Sequence, residues 1–222
     1  IVELYIIIVD QSAGAALETD QNVLFIRSFQ CIVQTAYNVV SARCLSAGKD
    51  NAYNLKLCLR YAKHFGEMLA KNQGLLFYGG VGTGKTFAAA CIANHLLSLR
   101  VPVVMTSFVK LLETMQGFSE DDSALIARLN RAKLLIIDDL GAERSTDFAL
   151  EKVYDIVDSR YRAKLPIILT TNLSMTEMKD TRIYDRIFEM CYPMQFTGRS
   201  WRKAEAARRF DEMKNFLEGN DG

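Results

Sequence analysis

Little in this chain points to a metal centre, a disulfide scaffold or a membrane span. Its five cysteines (Cys31, Cys44, Cys58, Cys91, Cys191) are scattered, and no two stand in a CxxC spacing. That leaves zinc without a ligand pattern, and an odd count leaves no complete disulfide framework. The two histidines, His64 and His95, lack metal-ligand spacing as well. The candidate apolar run, Ile1 to Val9, is interrupted by Glu3 and stopped by Asp10. It falls far short of the ~20 residues that cross a bilayer as a helix, and it lacks the basic start of a signal peptide. These absences predict a reduced, cytoplasmic protein with no membrane partner. Net charge is +1, so no global field draws the chain to nucleic acid, and any DNA contact must be a local patch.

What the chain does have is ordinary globular material, 222 residues of which 50% are hydrophobic and 24% charged. That suffices for one sizeable core. Its organising stretch is Gly79 to Thr86, GGVGTGKT, which fits the phosphate-binding loop pattern. Gly74 to Tyr78 before it suits a buried strand, and Phe87 to Leu99 after it reads as a helix. The glycines let backbone N–H groups converge on a polyphosphate at the helix's positive end. Lys85 would reach the β and γ phosphates, and the Thr86 hydroxyl would hold Mg²⁺. The nucleotide-binding set is therefore Gly79, Gly80, Val81, Gly82, Thr83, Gly84, Lys85, Thr86 and Phe87, with ATP and Mg²⁺ as the expected cofactors. A Gly-rich turn that binds nothing has no use for a lysine and a threonine at fixed offsets.

Around this loop the pattern alternates. Tyr53 to Lys71 carries a helical stripe at Leu55, Leu59, Ala62, Phe65 and Leu69, and strands are expected at Val101 to Met105, Leu134 to Ile137 and Pro166 to Leu169. Helices are expected at Phe108 to Met115, Ser123 to Arg131, Thr146 to Ala163 and Ser200 to Leu217. Uniformly apolar strands alternating with helices predict an α/β fold, a parallel sheet covered on both faces. Ligands of such sheets sit beyond the carboxyl ends of the strands, which puts Gly79 to Thr86, Asp138, Asp139 and Asn172 on one edge. Two adjacent carboxylates ending the run LLIIDD repel each other unless a cation is near. Asp138 is read as the Mg²⁺ ligand and Asp139 as the residue that orients or deprotonates the attacking water. The Asn172 amide either bridges that water and the γ-phosphate or merely forms a turn ahead of Ser174.

GLLFYGGVGTGKT, LLIIDDLGAER and ILTTN, in that order, resemble the AAA+ ATPases of the bacterial helicase-loader group, the DnaC and DnaI type. The similarity covers about residues 51 to 216. It implies a P-loop NTPase with five parallel strands, the phosphate-loop strand central, flanked by helices and lacking a full helical lid domain. It implies that Asn172 is the sensor 1 residue. It makes Arg186, in RIYDR, an arginine finger acting on a neighbour's nucleotide, where within one chain the same arginine would simply pair with Asp185 or Glu189. FTGRSWR resembles the family's closing motif, which makes Arg202 a second nucleotide sensor. The implied activity is ATP hydrolysis that helps place a hexameric replicative helicase on single-stranded DNA, with self-assembly through Arg186. The alternatives are a transposition helper ATPase of the IstB type and an ATP-gated binding module that does not hydrolyse.

Residues 51–222 are read as the ATPase domain and 1–50 as a separate segment. That segment opens on Ile1 rather than Met, as a fragment or a truncated helicase-docking region would. The expected DNA candidates are Lys110, Arg128, Arg131 and Lys133, with Phe108 as a base-stacking or a core residue. A second basic group comprises Arg199, Arg202, Lys203, Arg208 and Arg209. The first group reads equally as a solvated helix face, and Glu205, Asp211 and Glu212 dilute the second.

Overall fold

In the computed structural model of the chain, residues 49–116, 122–141, 147–178, 182–198 and 200–218 are described. The segment 1–48 and the second half of LGAER lie outside them.

The short apolar runs form strands. These are β1 (Gly74–Tyr78), β2 (Val103–Ser107), β3 (Leu134–Leu140), β4 (Ile167–Thr171) and β5 (Cys191–Gln195). All pairings are parallel, in the order β2-β3-β4-β1-β5. The phosphate-loop strand is thus internal, as the family resemblance implies. The helices are α1 (Lys49–Lys63), α2 (Phe65–Ala70), α3 (Lys85–Ser98), α4 (Phe108–Gln116), α5 (Asp122–Leu129), α6 (Asp147–Arg162), α7 (Arg182–Met190) and α8 (Trp201–Leu217). Successive strand side chains point to opposite faces, which divides the core in two. Leu75, Phe77, Leu134, Ile136 and Ile168 pack with Phe65, Ala88, Ile92 and Leu96 on the α1–α3 side. Leu76, Leu135, Ile137, Ile167 and Leu169 pack with Leu111, Leu125, Val153 and Ile187 on the other. No described helix is long and apolar enough to cross a membrane.

Several boundaries differ from the sequence reading for local reasons. The helix expected over 53–71 is two helices. His64 leaves the helical region, with φ −105° and ψ 26°, and Gly66 beside it weakens the helix preference. Strand β2 starts at Val103 because the Val101 N–H closes α3 onto the Leu96 carbonyl and Pro102 has no N–H to give a ladder. Strand β3 continues past Ile137 to Leu140 through a register shift between those two residues. Strand β5 carries no clean period, whereas helix α7 does, burying Ile183, Tyr184, Ile187 and Met190 along one face. CYPMQ is an edge strand whose Tyr192, Pro193 and Gln195 are exposed, a position where a sheet tolerates proline. Phe108 is 5% exposed and belongs to the core, so it is no base-stacking surface.

Three helices end in the same way. In α2, α3 and α6 the N–H of the second residue past the helix cap bonds to the carbonyl five residues back (Gln73 to Met68, Val101 to Leu96, Leu165 to Arg160). The residue before it bonds back to Leu69, Leu97 or Tyr161. This Schellman arrangement needs a left-handed residue, for which glycine is the usual choice. Here the positions are Asn72, Arg100 and Lys164, with φ of 52°, 59° and 53°. A side chain there costs ~1–2 kcal/mol relative to the right-handed region.

Beneath the entries to β3 and β4 lies Arg160, fully buried and with no carboxylate partner among the described residues. Its guanidinium donates to the carbonyls of Leu129 (3.3 Å), Ala132 (2.8 Å), Lys133 (3.3 Å) and Pro166 (2.6 Å). Burial pushes its pKa down to about 9. Replacing Arg160 by Met keeps the apolar stem but orphans these carbonyls. The variant is expected to lose ~3 kcal/mol of stability, read from the urea midpoint at constant slope.

Candidate functional site

The carboxyl edge of the sheet collects the residues that the sequence pattern singles out. Strand β1 ends at Tyr78, and the chain turns at once into Gly79, whose φ is 127° and whose Cβ, if it had one, would stand 2.2 Å from the Phe196 carbonyl oxygen. Gly82 has φ 78°, and a Cβ there would meet the Ser200 hydroxyl at 2.2 Å. These two positions explain the glycines mechanically. The loop is pressed against the segment that leaves β5, and Ser200 caps α8 by accepting from the Lys203 N–H. Helix α3 starts at Lys85, two residues before the sequence reading, so Lys85 and Thr86 occupy its first turn. Within the loop the Thr83 hydroxyl donates to the Gly80 carbonyl at 2.9 Å.

Lys85 is buried, 6% exposed, and its ammonium group donates to the carbonyls of Gly79 and Gly80, both at 2.7 Å. It also donates to Asn172 Oδ1 at 2.8 Å. The same amide donates from Nδ2 to Asp139 Oδ1 at 2.7 Å. The donor lysine and acceptor carboxylate fix which way the amide faces. Asn172, exposed at the end of β4, therefore joins the phosphate loop to the acidic pair.

Asp138 is 8% exposed and accepts from Thr170 at 2.6 Å and from Thr86 at 3.1 Å. Burial pushes its carboxyl above the usual range, and the two hydroxyl hydrogen bonds pull partly against that. Asp139 takes the left-handed conformation, φ 60°, just where β3 shifts register against β4, and its N–H donates to Thr170 Oγ1 at 2.9 Å. The strained backbone is what turns its side chain from the ladder toward Asn172. Thr86 and Asp138 offer a hydroxyl and a buried carboxylate at one point. Such hard oxygens suit Mg²⁺, which uses few protein ligands and completes its shell with water and phosphate. Among the described residues no group of three or more His, Cys, Asp or Glu forms a metal site of another kind.

Thr170 was not singled out by the sequence reading, although it holds both aspartates. Its signal was its place two residues before Asn172 on a strand whose register faces β3. Asn51 was missed too. Its amide ties the Thr83 carbonyl (3.3 Å) to the Thr197 carbonyl (2.6 Å), joining α1 to the phosphate loop. No local pattern announces that contact.

Arg186 lies apart from this edge, one-third exposed. It pairs with Glu189 at 3.2 Å and Asp158 at 3.6 Å and stacks over the Tyr161 ring at 4.4 Å. The surface pairing with Glu189 read from the sequence is present, and Asp185 takes no part in it. Val81 within the loop and Phe87 just after it are exposed. The Arg202 side chain and Arg199 lie outside the described residues.

Residues 64–208 match the family described as IstB-like ATP binding protein. The phage-like element PBSX protein XkdC of Bacillus subtilis is 34% identical over 132 residues, 54% of this chain and 48% of that protein. The replicative helicase loader DnaI of the same organism is 29% identical over 151 residues, 60% of this chain and 48% of its own length. This chain thus spans about half the length of these two relatives. A crystal structure of DnaI superimposes with a TM-score of 0.59 at 25% identity, covering 68% of this chain and 87% of that one.

Replacing Thr170 by Val preserves volume and removes both hydrogen bonds to the aspartates. Calorimetric titration is expected to show ATP affinity in Mg²⁺ reduced by ~10-fold, the scale of one lost charged hydrogen bond. Affinity in EDTA should be unchanged, because the lysine and the loop are untouched.

Proposed function

Because the chain belongs to the family of IstB-like ATP-binding proteins, we propose that it is an AAA+ ATPase that helps place a hexameric replicative helicase on single-stranded DNA. The observation that carries the reading is the chain of contacts Thr86, Asp138, Thr170, Asp139, Asn172, Lys85, which closes around the carboxyl edge. Loop N–H groups from Gly79 to Phe87 and the Lys85 ammonium hold the ATP phosphates. Thr86 and Asp138 hold Mg²⁺, which neutralises charge on the phosphates when bound. Asp139 accepts a proton from the attacking water or orients it, and Asn172 fixes that carboxylate against Lys85. Arg202, on the first turn of α8 beside the loop, senses the nucleotide.

Arg186 completes the site of a neighbouring copy. In the single chain it is held by Glu189, Asp158 and Tyr161, so engagement with a neighbour exchanges Glu189 for a phosphate oxygen. This reading makes hydrolysis depend on assembly. The named relative DnaI favours a helicase client over a transposase.

Lys85→Ala is expected to abolish ATP binding by calorimetry. Arg186→Ala should bind ATP normally and lose hydrolysis by ~10³-fold or more, the scale of an arginine finger. Equal loss of binding in both variants would remove Arg186 from the site.

The client is tested by gel filtration of the chain with the replicative helicase of the same genome. Co-elution that responds to ATP is expected. If the helicase fails to bind while the matching transposase binds, the loader assignment is wrong.

A further inference from the structure

The connections that enter β1 to β4 lie at the amino edge of the sheet, opposite Lys85 and Asn172. They read Lys71-Asn72-Gln73, Leu99-Arg100-Val101-Pro102, Asn130-Arg131-Ala132-Lys133 and Ala163-Lys164-Leu165-Pro166, with cations in each and no acid in any. Lys71, Arg100, Arg131, Lys133 and Lys164 are all exposed. Among the described residues none of these takes part in an ion pair. The acid nearest in sequence, Glu67, is taken by His64 at 3.1 Å. Because β2, β3, β4 and β1 are neighbours in that order, the cations form one row. It crosses three strand spacings of ~4.8 Å, ~14 Å in all.

Two features show that the row is built into the fold. Arg100 and Lys164 occupy the left-handed positions that end α3 and α6, where glycine is favoured and a long cationic side chain is disfavoured. The backbone under the row is also locked. The Lys133 N–H donates to the Pro102 carbonyl at 2.9 Å, and Arg160 gathers the carbonyls of Leu129, Ala132, Lys133 and Pro166 from behind. That buried guanidinium adds a further positive charge beneath the surface it stiffens.

We propose that this row docks the phosphate backbone of duplex DNA, at a surface separate from the nucleotide site. A rigid line of cations suits the regular, dense charge of a duplex, and such contacts position without reading sequence. The four connections contain no aromatic residue, so they lack the stacking platforms that single-strand binders use. Leu99 is their one exposed large apolar side chain, so they also lack the apolar centre of a protein interface. The structure thereby separates the basic residues of the sequence reading. Arg131 and Lys133 belong to this row, whereas Lys110 follows β2 at the opposite edge and pairs with Glu113 at 3.5 Å.

The test is fluorescence anisotropy of the full chain with a labelled 20-base-pair duplex and a single strand of equal length, from 50 to 200 mM salt. Duplex binding is expected with a log–log salt slope of about −4.5 for five phosphate contacts. Arg100→Gly combined with Lys164→Gly should weaken duplex binding at least ~10-fold and reduce the slope by about 2, one contact per residue. The same variant should melt no lower than the wild type, because glycine suits both positions. Arg131→Gln with Lys133→Gln should act alike on DNA, with ATP binding unchanged, and Lys110→Gln should do nothing. The proposal is overturned if both double variants bind duplex normally. It is equally overturned if the single strand binds tighter and alone responds, or if polyglutamate displaces the duplex as well as unlabelled duplex does.

Discussion

A buried ammonium ion must be surrounded by oxygen, and the carboxyl edge of this molecule is arranged around that requirement at Lys85. Its partners include two carbonyls of the loop that precedes it, at Gly79 and Gly80, and the Asn172 amide on the far side of the edge. Charged hydrogen bonds of this kind are individually worth ~1.5–3 kcal/mol, and they are short and directional. They hold the loop closed on itself and draw β4 into the site. From Asn172 the constraint passes to Asp139, through Thr170 to Asp138, and through Asp138 back to Thr86 beside Lys85. The circuit therefore links β1, β3 and β4, the three central strands of the sheet. Each carboxylate in it is fixed by a neutral donor, so both stay available to a cation or a water.

The sheet carries a second buried cation, and the contrast is informative. Among the described residues Arg160 bonds to backbone carbonyls, on the amino edge, and it has no exposed surface. One cation thus stands where a polyphosphate can exchange with its partners, and the other cross-links the connections entering β3 and β4. Burial alone does not distinguish them. The glycines do. The loop at Lys85 uses left-handed glycines at 79, 82 and 84, which admit backbone N–H groups to a ligand, whereas the turns at the other edge fill left-handed positions with Asn72, Arg100 and Lys164.

The central features were legible because they are local. A strand, a glycine loop and a helix at fixed offsets specify Gly79 to Thr86, and a run of aliphatics ending in two acids specifies Asp138 and Asp139. The internal position of β1 followed from family resemblance. What escaped is non-local or irregular. Strand β5 reads as no strand because an edge position lets Tyr192 and Pro193 face outward. Thr170 looks like any β-branched strand residue until the parallel register sets it beside Asp138 and Asp139. Asn51 acts across more than a hundred residues, on Thr197. Phe108 offered two readings, and only packing decides that it is core.

Completion of the active site by a second copy is the claim on which the account turns, and mixing two inactive variants tests it directly. Lys85→Ala supplies an intact Arg186 and an empty loop, while Arg186→Ala supplies an intact loop and no finger. Phosphate release from an equimolar mixture, at concentrations where the wild type is active, is predicted to recover a substantial fraction of wild-type activity although each variant alone has none. A mixture as inactive as its components, with ATP still bound by Arg186→Ala, would contradict the assignment of Arg186 to a neighbour's site.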